Sequence, residues 1–202
     1  MRLSSVQQGL IVEREFAKFL MMGSDGRIEL AAPVSDDERR DYEIHVRGQY
    51  GVGVACQVKS AATLHHMSKN VRHLNIFFDV RADRLVNSPF YWYFFAYLDL
   101  ELMGLADPTF LVPSTDFHKL AAPILRDGVW RFSMAANMEP TSRDRWNRYR
   151  VMTLDLGRAL LEINKDLQRS HAVPMPPEGI LSTPGVVFAG SRGSYLPQEA
   201  SK

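Results

Sequence analysis

Three polar residues collect at one end of a predicted β-hairpin, where their side chains could act together. Residues 41–60 read DYEIHVRGQYGVGVACQVKS, and apolar residues alternate with polar ones in both halves, which predicts two strands. Asp41 opens the first strand, while Gln57 and Lys59 close the second. Because Gln57 and Lys59 are two residues apart, they share a face of that strand.

Strand parity decides whether Asp41 lies on the same face. Opposed residues of an antiparallel pair share a face, so the residue numbers of each pair must have an even sum. A two-residue turn at Gln49-Tyr50 gives an odd sum, whereas an odd loop or a β-bulge gives an even one. Gly48, Gly51 and Gly53 can adopt the positive φ angles that such a loop or bulge needs. The sequence permits convergence without requiring it.

A fourth polar residue, Glu13, comes from the predicted first helix, residues 5–22. At about 100° per residue, Glu13 falls in the middle of an apolar arc. That arc is formed by Val6, Leu10, Phe16, Ala17, Leu20 and Met21. A buried carboxylate needs a partner. Glu13 is therefore a metal ligand, a member of a buried salt bridge, or a residue brought to the rim by rotation of the helix.

If the four residues converge, the site suits a hard divalent cation. Two carboxylates and the Gln57 amide oxygen are ligands for Mg²⁺ or Mn²⁺. The Lys59 ammonium could orient a water or stabilise a phosphate during attack. This set fits metal-assisted phosphodiester hydrolysis. The six histidines lack the spacing of zinc ligands, and no phosphate-binding loop or nucleophile elbow is present.

These residues resemble the PD-(D/E)XK nucleases, which have the restriction-endonuclease-like fold. The segment GLIVER, residues 9–14, is similar to the GxxxE signature of archaeal Holliday junction resolvases and their relatives. Asp41 stands at the position of the family's metal-binding Asp, and QVK, residues 57–59, at that of its (D/E)xK motif. The resemblance covers residues 5–115.

The resemblance implies roles for five residues. Glu13, Asp41, Gln57 and the carbonyl of Val58 would be metal ligands, and Lys59 would be the catalytic lysine. Two positions depart from the pattern: Arg40 replaces the Pro before the Asp, and Gln57 replaces the usual acid. The second departure removes one negative charge and should lower the affinity for metal.

Basic residues after the hairpin are candidate contacts to nucleic acid. Lys69, Arg72, Arg81 and Arg84 follow the QVK strand, together with three histidines. A second basic segment, SRDRWNRYR (residues 142–150), is also aromatic. There we expect Trp146 and Tyr149 to pack in the core.

The remaining pattern predicts a mixed α/β fold. A short strand at residues 27–32 precedes the hairpin, and helix or irregular structure is expected over residues 64–86. FYWYFFAYLDL, PTFLVP and GVWRFSM read as strands, STDFHKLA as a helix capped by Ser114 or Thr115, and residues 154–167 as an amphipathic helix. The predicted architecture is a restriction-endonuclease-like mixed sheet, with a central hairpin flanked by helices.

Composition places this fold in one ordinary domain. Of the 202 residues, 46% are hydrophobic and 23% charged, and the net charge of +1 indicates no global field for nucleic acid. We expect a nuclease-like domain over residues 1–170 and a Pro/Gly-rich tail over residues 171–202. One cysteine, no apolar leader and no membrane span fit a cytoplasmic protein without membrane contact.

Three functions follow as hypotheses. The first is a Mg²⁺- or Mn²⁺-dependent endonuclease acting on nucleic acid, with DNA as the expected substrate and a homodimer as a possible assembly. The second is a non-catalytic module of the same fold that binds nucleic acid or protein. The third is an unrelated α/β domain in which the hairpin charges form a structural ion pair.

Overall fold

The computed structural model describes residues 3–34, 39–68, 71–170, 188–190 and 193–195. Three helices are α1 (Ser5–Gly23), α2 (Ser114–Ala121) and α3 (Leu156–Ser170). The strands are β1 (Ile28–Ala31), β2 (Tyr42–Val46), β3 (Gln49–Ala61), β4 (His65–Ser68), β5 (Val71–Arg81), β6 (Tyr91–Asp99), β7 (Gly104–Pro113), β8 (Ile124–Arg126), β9 (Val129–Asn137), β10 (Arg150–Val151), β11 (Phe188–Gly190) and β12 (Gly193–Tyr195).

The main sheet is mixed and has six strands in the order β1-β2-β3-β6-β7-β10. β3 and β6 run parallel, and the other neighbours are antiparallel. The β2–β3 hairpin therefore lies inside the sheet, next to the aromatic strand β6. This confirms the predicted fold class.

The two faces of the main sheet bury two separate cores. On one face, Cys56 and Val58 of β3 pack with Phe16 and Leu20 of α1 and with Leu160 of α3. On the other face, alternate residues of β6 (Tyr91, Tyr93 and Phe95) pack against β5, α2 and β9. An eleven-residue run rich in aromatic side chains fits β6 because both of its faces are covered.

A second sheet covers that aromatic face, and it corrects the prediction of helix or irregular structure over residues 64–86. Its four strands lie in the order β4-β5-β9-β8, and β5 pairs with β9 over nine residues. Leu74, Ile76 and Val80 are buried at alternate positions of β5. The outward positions between them hold Asn75, Phe77 and Asp79, and the apolar Phe77 conceals the two-residue period in the sequence.

Helix α1 begins at Ser5, as predicted, but its buried face differs in part from the apolar arc of the helical wheel. Ser4 caps it, with Gln7 completing a capping box. Val12, Phe16, Ala17 and Leu20 are buried, whereas Val6 and Leu10 are 79% and 53% exposed. The buried arc is thus shifted towards Val12, and Glu13, which falls between Leu20 and Ala17 on the wheel, is half-buried.

Two smaller expectations have different outcomes. The side chains of Trp146 and Tyr149 are buried in the second core, as predicted. Neither Ser114 nor Thr115 caps α2, because Pro113 is the capping residue and Ser114 bonds instead to the backbone of Ser88. Apart from the short pair β11–β12, the predicted tail lies outside the described residues. No helix among those described is long and apolar enough to span a membrane.

Candidate metal and nucleic-acid site

The register of the β2–β3 hairpin, continued by one residue beyond Tyr42, sets Asp41 opposite Gln57. Paired residue numbers sum to 98 at Tyr42–Cys56 and Ile44–Val54, an even value. Arg47 and Gly48 form a tight turn, with Gly48 at φ 76°. Between Val46–Gln49 and Ile44–Val54, β3 advances five residues while β2 advances two. This irregularity changes the parity and brings Asp41 to the face predicted for a shared site.

Asp41 is fixed where the β2–β3 ladder ends. Its backbone N–H donates to the carbonyl of Cys56 (2.9 Å), and its carboxylate accepts from the backbone N–H of Val58 (2.6 Å). The N–H and C=O of one strand residue point to the same side. The carbonyl of Val58 therefore points to the edge at which Asp41 lies.

Gln57 and Lys59 lie on the aromatic face of the main sheet. In the parallel register, Gln57 is beside Tyr93 and Lys59 is beside Phe95. Gln57 is 5% exposed. The ammonium nitrogen of Lys59 lies 5.7 Å from the ring centroid of Phe78 in β5, within range of a cation–π contact. The second sheet thus forms part of the wall beside Lys59.

Glu13 lies within electrostatic range of both Asp41 and Lys59. Burial raises the pKa of the Glu13 carboxyl, the Asp41 carboxylate raises this pKa further, and the cations of Lys59 and Arg14 lower it. The hydroxyl of Tyr42 donates to the backbone carbonyl of Glu13 at 3.3 Å. A Cβ atom at Gly9 would lie 3.8 Å from Glu13 Oε1, an ordinary van der Waals contact.

The charges of Asp41 and Lys59 thus act on Glu13, although Glu13 belongs to α1, which packs on the face of β3 opposite to Gln57 and Lys59. The candidate ligands all donate oxygen: the carboxylates of Glu13 and Asp41, the amide of Gln57 and the backbone carbonyl of Val58. This donor chemistry fits a hard divalent cation. Within the described ranges, no group of three or more His, Cys, Asp or Glu residues is placed to hold a metal ion.

The predicted nucleic-acid contacts do not form one patch. Arg72 and Arg81 are nine residues apart in β5, which separates them by about 30 Å along the strand and puts them on opposite faces. Arg81 pairs with Asp83, and Arg72 with Glu139. Arg84 is exposed in a short 3₁₀ turn after β5, and Lys69 lies outside the described residues.

Sequence reasoning did not identify Phe78 or Arg14 as neighbours of the site. Phe78 belongs to the alternating run of β5, so a strand prediction there would have directed its ring inward. Arg14 follows Glu13 directly, and its charge acts on the pKa values of both Glu13 and Tyr42. The exposed side chain of Arg14 is therefore a basic group at the rim of the site.

Comparisons with known proteins give a structural match without a sequence match. No protein-family model matches the chain, and no curated protein matches it. A solved structure, described as that of the bacterial homing endonuclease I-Ssp6803I, superposes with a TM-score of 0.51 at 18% identity. The match covers 84% of this chain and 100% of that one. The two chains share a fold.

Proposed function

We propose that this protein is a divalent-metal-dependent nuclease that hydrolyses phosphodiester bonds in DNA. The observations that support the proposal are the electrostatic coupling of Glu13 with Asp41 and Lys59 and the bond that holds the Asp41 carboxylate at the end of the β2–β3 hairpin. The fold shared with a homing endonuclease supports the same class of activity. The positions of these residues also support membership of the PD-(D/E)XK superfamily.

Each residue has a defined part in this proposal. Glu13, Asp41, Gln57 and the carbonyl of Val58 would hold Mg²⁺ or Mn²⁺. The bound ion would supply Lewis-acid stabilisation of the phosphate and a more acidic water. Lys59 stabilises negative charge on the attacked phosphate and orients the water. In the reaction, a water oxygen bonds to phosphorus, the P–O3′ or P–O5′ bond breaks, and a proton passes to the leaving oxygen.

One observation favours a second candidate, a non-catalytic module of this fold that binds nucleic acid. Gln57 is neutral and almost completely buried, so the site has one carboxylate fewer than the motif that it resembles. A site with less negative charge binds a divalent ion less tightly. The module would bind DNA without cutting it.

The change Asp41→Asn separates these candidates. The Asn oxygen can still accept from the Val58 N–H, so the fold is kept while one charge is lost. For the nuclease, we expect cleavage of plasmid DNA in Mg²⁺ or Mn²⁺ by the parent, none in EDTA, and at least a hundredfold slower cleavage by Asp41→Asn. The matched control is Glu29→Gln, which removes an exposed carboxylate of β1 paired with Arg47. Binding without cleavage by the parent would favour the non-catalytic module.

A further inference from the structure

Arg39, two residues before Asp41, is fastened to strands of both sheets. Its backbone carbonyl accepts from the hydroxyl of Tyr91 in β6 at 2.9 Å, and Tyr91 is 4% exposed. Its guanidinium donates to the backbone carbonyl of Asp79 in β5 at 2.5 Å. The backbone of Arg39 is left-handed, with φ 52°, so the chain turns sharply just before the site.

The charge of Arg39 also lies close to the aromatic face. Burial raises the pKa of Tyr91 and that of Tyr93, and the Arg39 guanidinium opposes both increases. Tyr93 neighbours Gln57 in the sheet. The side chain of Arg39 is therefore directed to the face that carries Gln57 and Lys59, and away from α1.

Consecutive residues of β5 contact both parts of the site. The ring of Phe78 lies 5.7 Å from the Lys59 ammonium, and the carbonyl of Asp79 holds Arg39. Arg40 alone separates Arg39 from Asp41, whose carboxylate is bonded to Val58. The position of Asp41 relative to Lys59 is thus linked to one dipeptide of the second sheet.

We propose that Arg39 is a positioning residue that holds Asp41 against Val58, with β5 and Tyr91 as its anchors. The consequence for metal binding rests on the proposed function, whereas the effect on Asp41 does not. A ligand that is held in place loses less conformational freedom when the ion binds. Loss of groups that orient metal ligands typically costs about 10–100-fold in affinity.

The position of Asp41 can be measured without metal, through hydrogen exchange of the Val58 amide. Arg39→Ala and Tyr91→Phe each remove one anchor, and we expect at least about tenfold faster exchange at Val58 in both variants. The matched control is Arg131→Ala, because Arg131 Nε lies 3.7 Å from the Asp79 carboxylate on the solvent side. Exchange at Val58 that is unchanged in both Arg39→Ala and Tyr91→Phe would overturn the proposal.

Calorimetric titration with Mn²⁺, in the absence of DNA, tests whether the positioning of Asp41 by Arg39 strengthens metal binding. We expect both anchor variants to bind Mn²⁺ about tenfold more weakly than the parent or Arg131→Ala. If Arg39 instead contacts DNA, Arg39→Ala would weaken DNA binding while Val58 exchange stays at the parental rate in both variants, which refutes positioning. If the parent binds no Mn²⁺, the proposed function fails, and the exchange of Val58 still decides the role of Arg39.

Discussion

At the scale of single residues, the ionised carboxylate of Glu13 lowers the stability of the folded protein, and a bound cation would offset this loss. Its pKa is raised by burial and by Asp41, so folding favours its protonated form. Below the usual carboxyl pKa, Glu13 is protonated in both the folded and the unfolded protein, so it does not lower stability. Above the raised pKa of the folded state, Glu13 is ionised and destabilises the folded protein. Ligation by a metal requires that ionised form.

Replacing Glu13 should therefore stabilise the metal-free protein while weakening the site. We expect Glu13→Gln to raise Tm in EDTA at pH 8 and to lose this gain as the pH falls towards 4. Because solvent reaches the half-buried carboxylate, the gain should stay below about 1 kcal/mol, or about 2–4 °C in Tm. Thermal unfolding over this pH range, with Glu15→Gln as control, tests it. A lower Tm for Glu13→Gln at pH 8 would indicate a stabilising ion pair instead.

Gln57 sets the charge of the site, so its replacement by an acid should strengthen metal binding. We expect Gln57→Glu to bind Mn²⁺ about tenfold more tightly in calorimetry, since a third carboxylate joins the donor set. The same change should lower Tm in EDTA, because it buries a further charge beside Asp41. Gln168→Glu on α3 is the control. Equal Mn²⁺ affinity in the parent and Gln57→Glu would show that residue 57 does not face the ion.

Lys59 should matter more to the chemical step than to binding. We expect Lys59→Ala to cut DNA at least about a hundredfold more slowly in Mg²⁺. Its DNA affinity in Ca²⁺ should stay within about twofold, because binding energy is spread over many phosphate contacts. Lys165→Ala, an exposed change on α3, is the control. Cleavage by Lys59→Ala at the parental rate would show that Lys59 is not a catalytic residue.

At the scale of elements, the contact between α1 and α3 determines where α1 presents Glu13. The two helices cross at Gly23 and Gly157, where a Cβ atom on Gly157 would lie 2.3 Å from the Gly23 carbonyl carbon. That neighbour is backbone, so a side chain at residue 157 can be accommodated only if the helices move apart.

Gly157→Ala should therefore destabilise the domain by about 1–3 kcal/mol or more. Denaturant unfolding measures this, and Gly104→Ala is the matched control because its Cβ would meet its nearest neighbour at an ordinary 3.8 Å. Equal stability of Gly157→Ala and the parent would mean that α1 and α3 can separate without cost, and that their crossing does not fix Glu13.

The hairpin shows what the sequence could and could not determine about elements. The alternation of apolar residues predicted β2 and β3, and parity arithmetic identified an even pairing sum as the condition for convergence. The sequence could not show where the irregularity falls, since several glycines could have formed it. In α1, the wheel placed Glu13 among apolar residues, but it could not show that Val12 is buried while Val6 and Leu10 are exposed.

At the scale of the whole molecule, the main sheet was predictable and its cover was not. The aromatic run of β6 indicated a buried strand, but it did not show which element covers the face of β6 that lies away from α1. The partner is the second sheet, whose strand β5 carries Phe77 as well as polar residues at its outward positions and pairs with β9, some sixty residues later in the chain. Such distant pairing leaves a weak local signal. The neighbours of Lys59 and Arg39 were missed for the same reason.

The central claim is that one divalent ion binds at the end of the β2–β3 hairpin. The most direct measurement is anomalous diffraction from crystals of the protein soaked in Mn²⁺. The account predicts a Mn²⁺ peak within about 2.0–2.6 Å of carboxylate oxygens of both Glu13 and Asp41, with Lys59 beside it. A site without Mn²⁺ in crystals of a preparation that cuts DNA, or a peak at other residues, would contradict it.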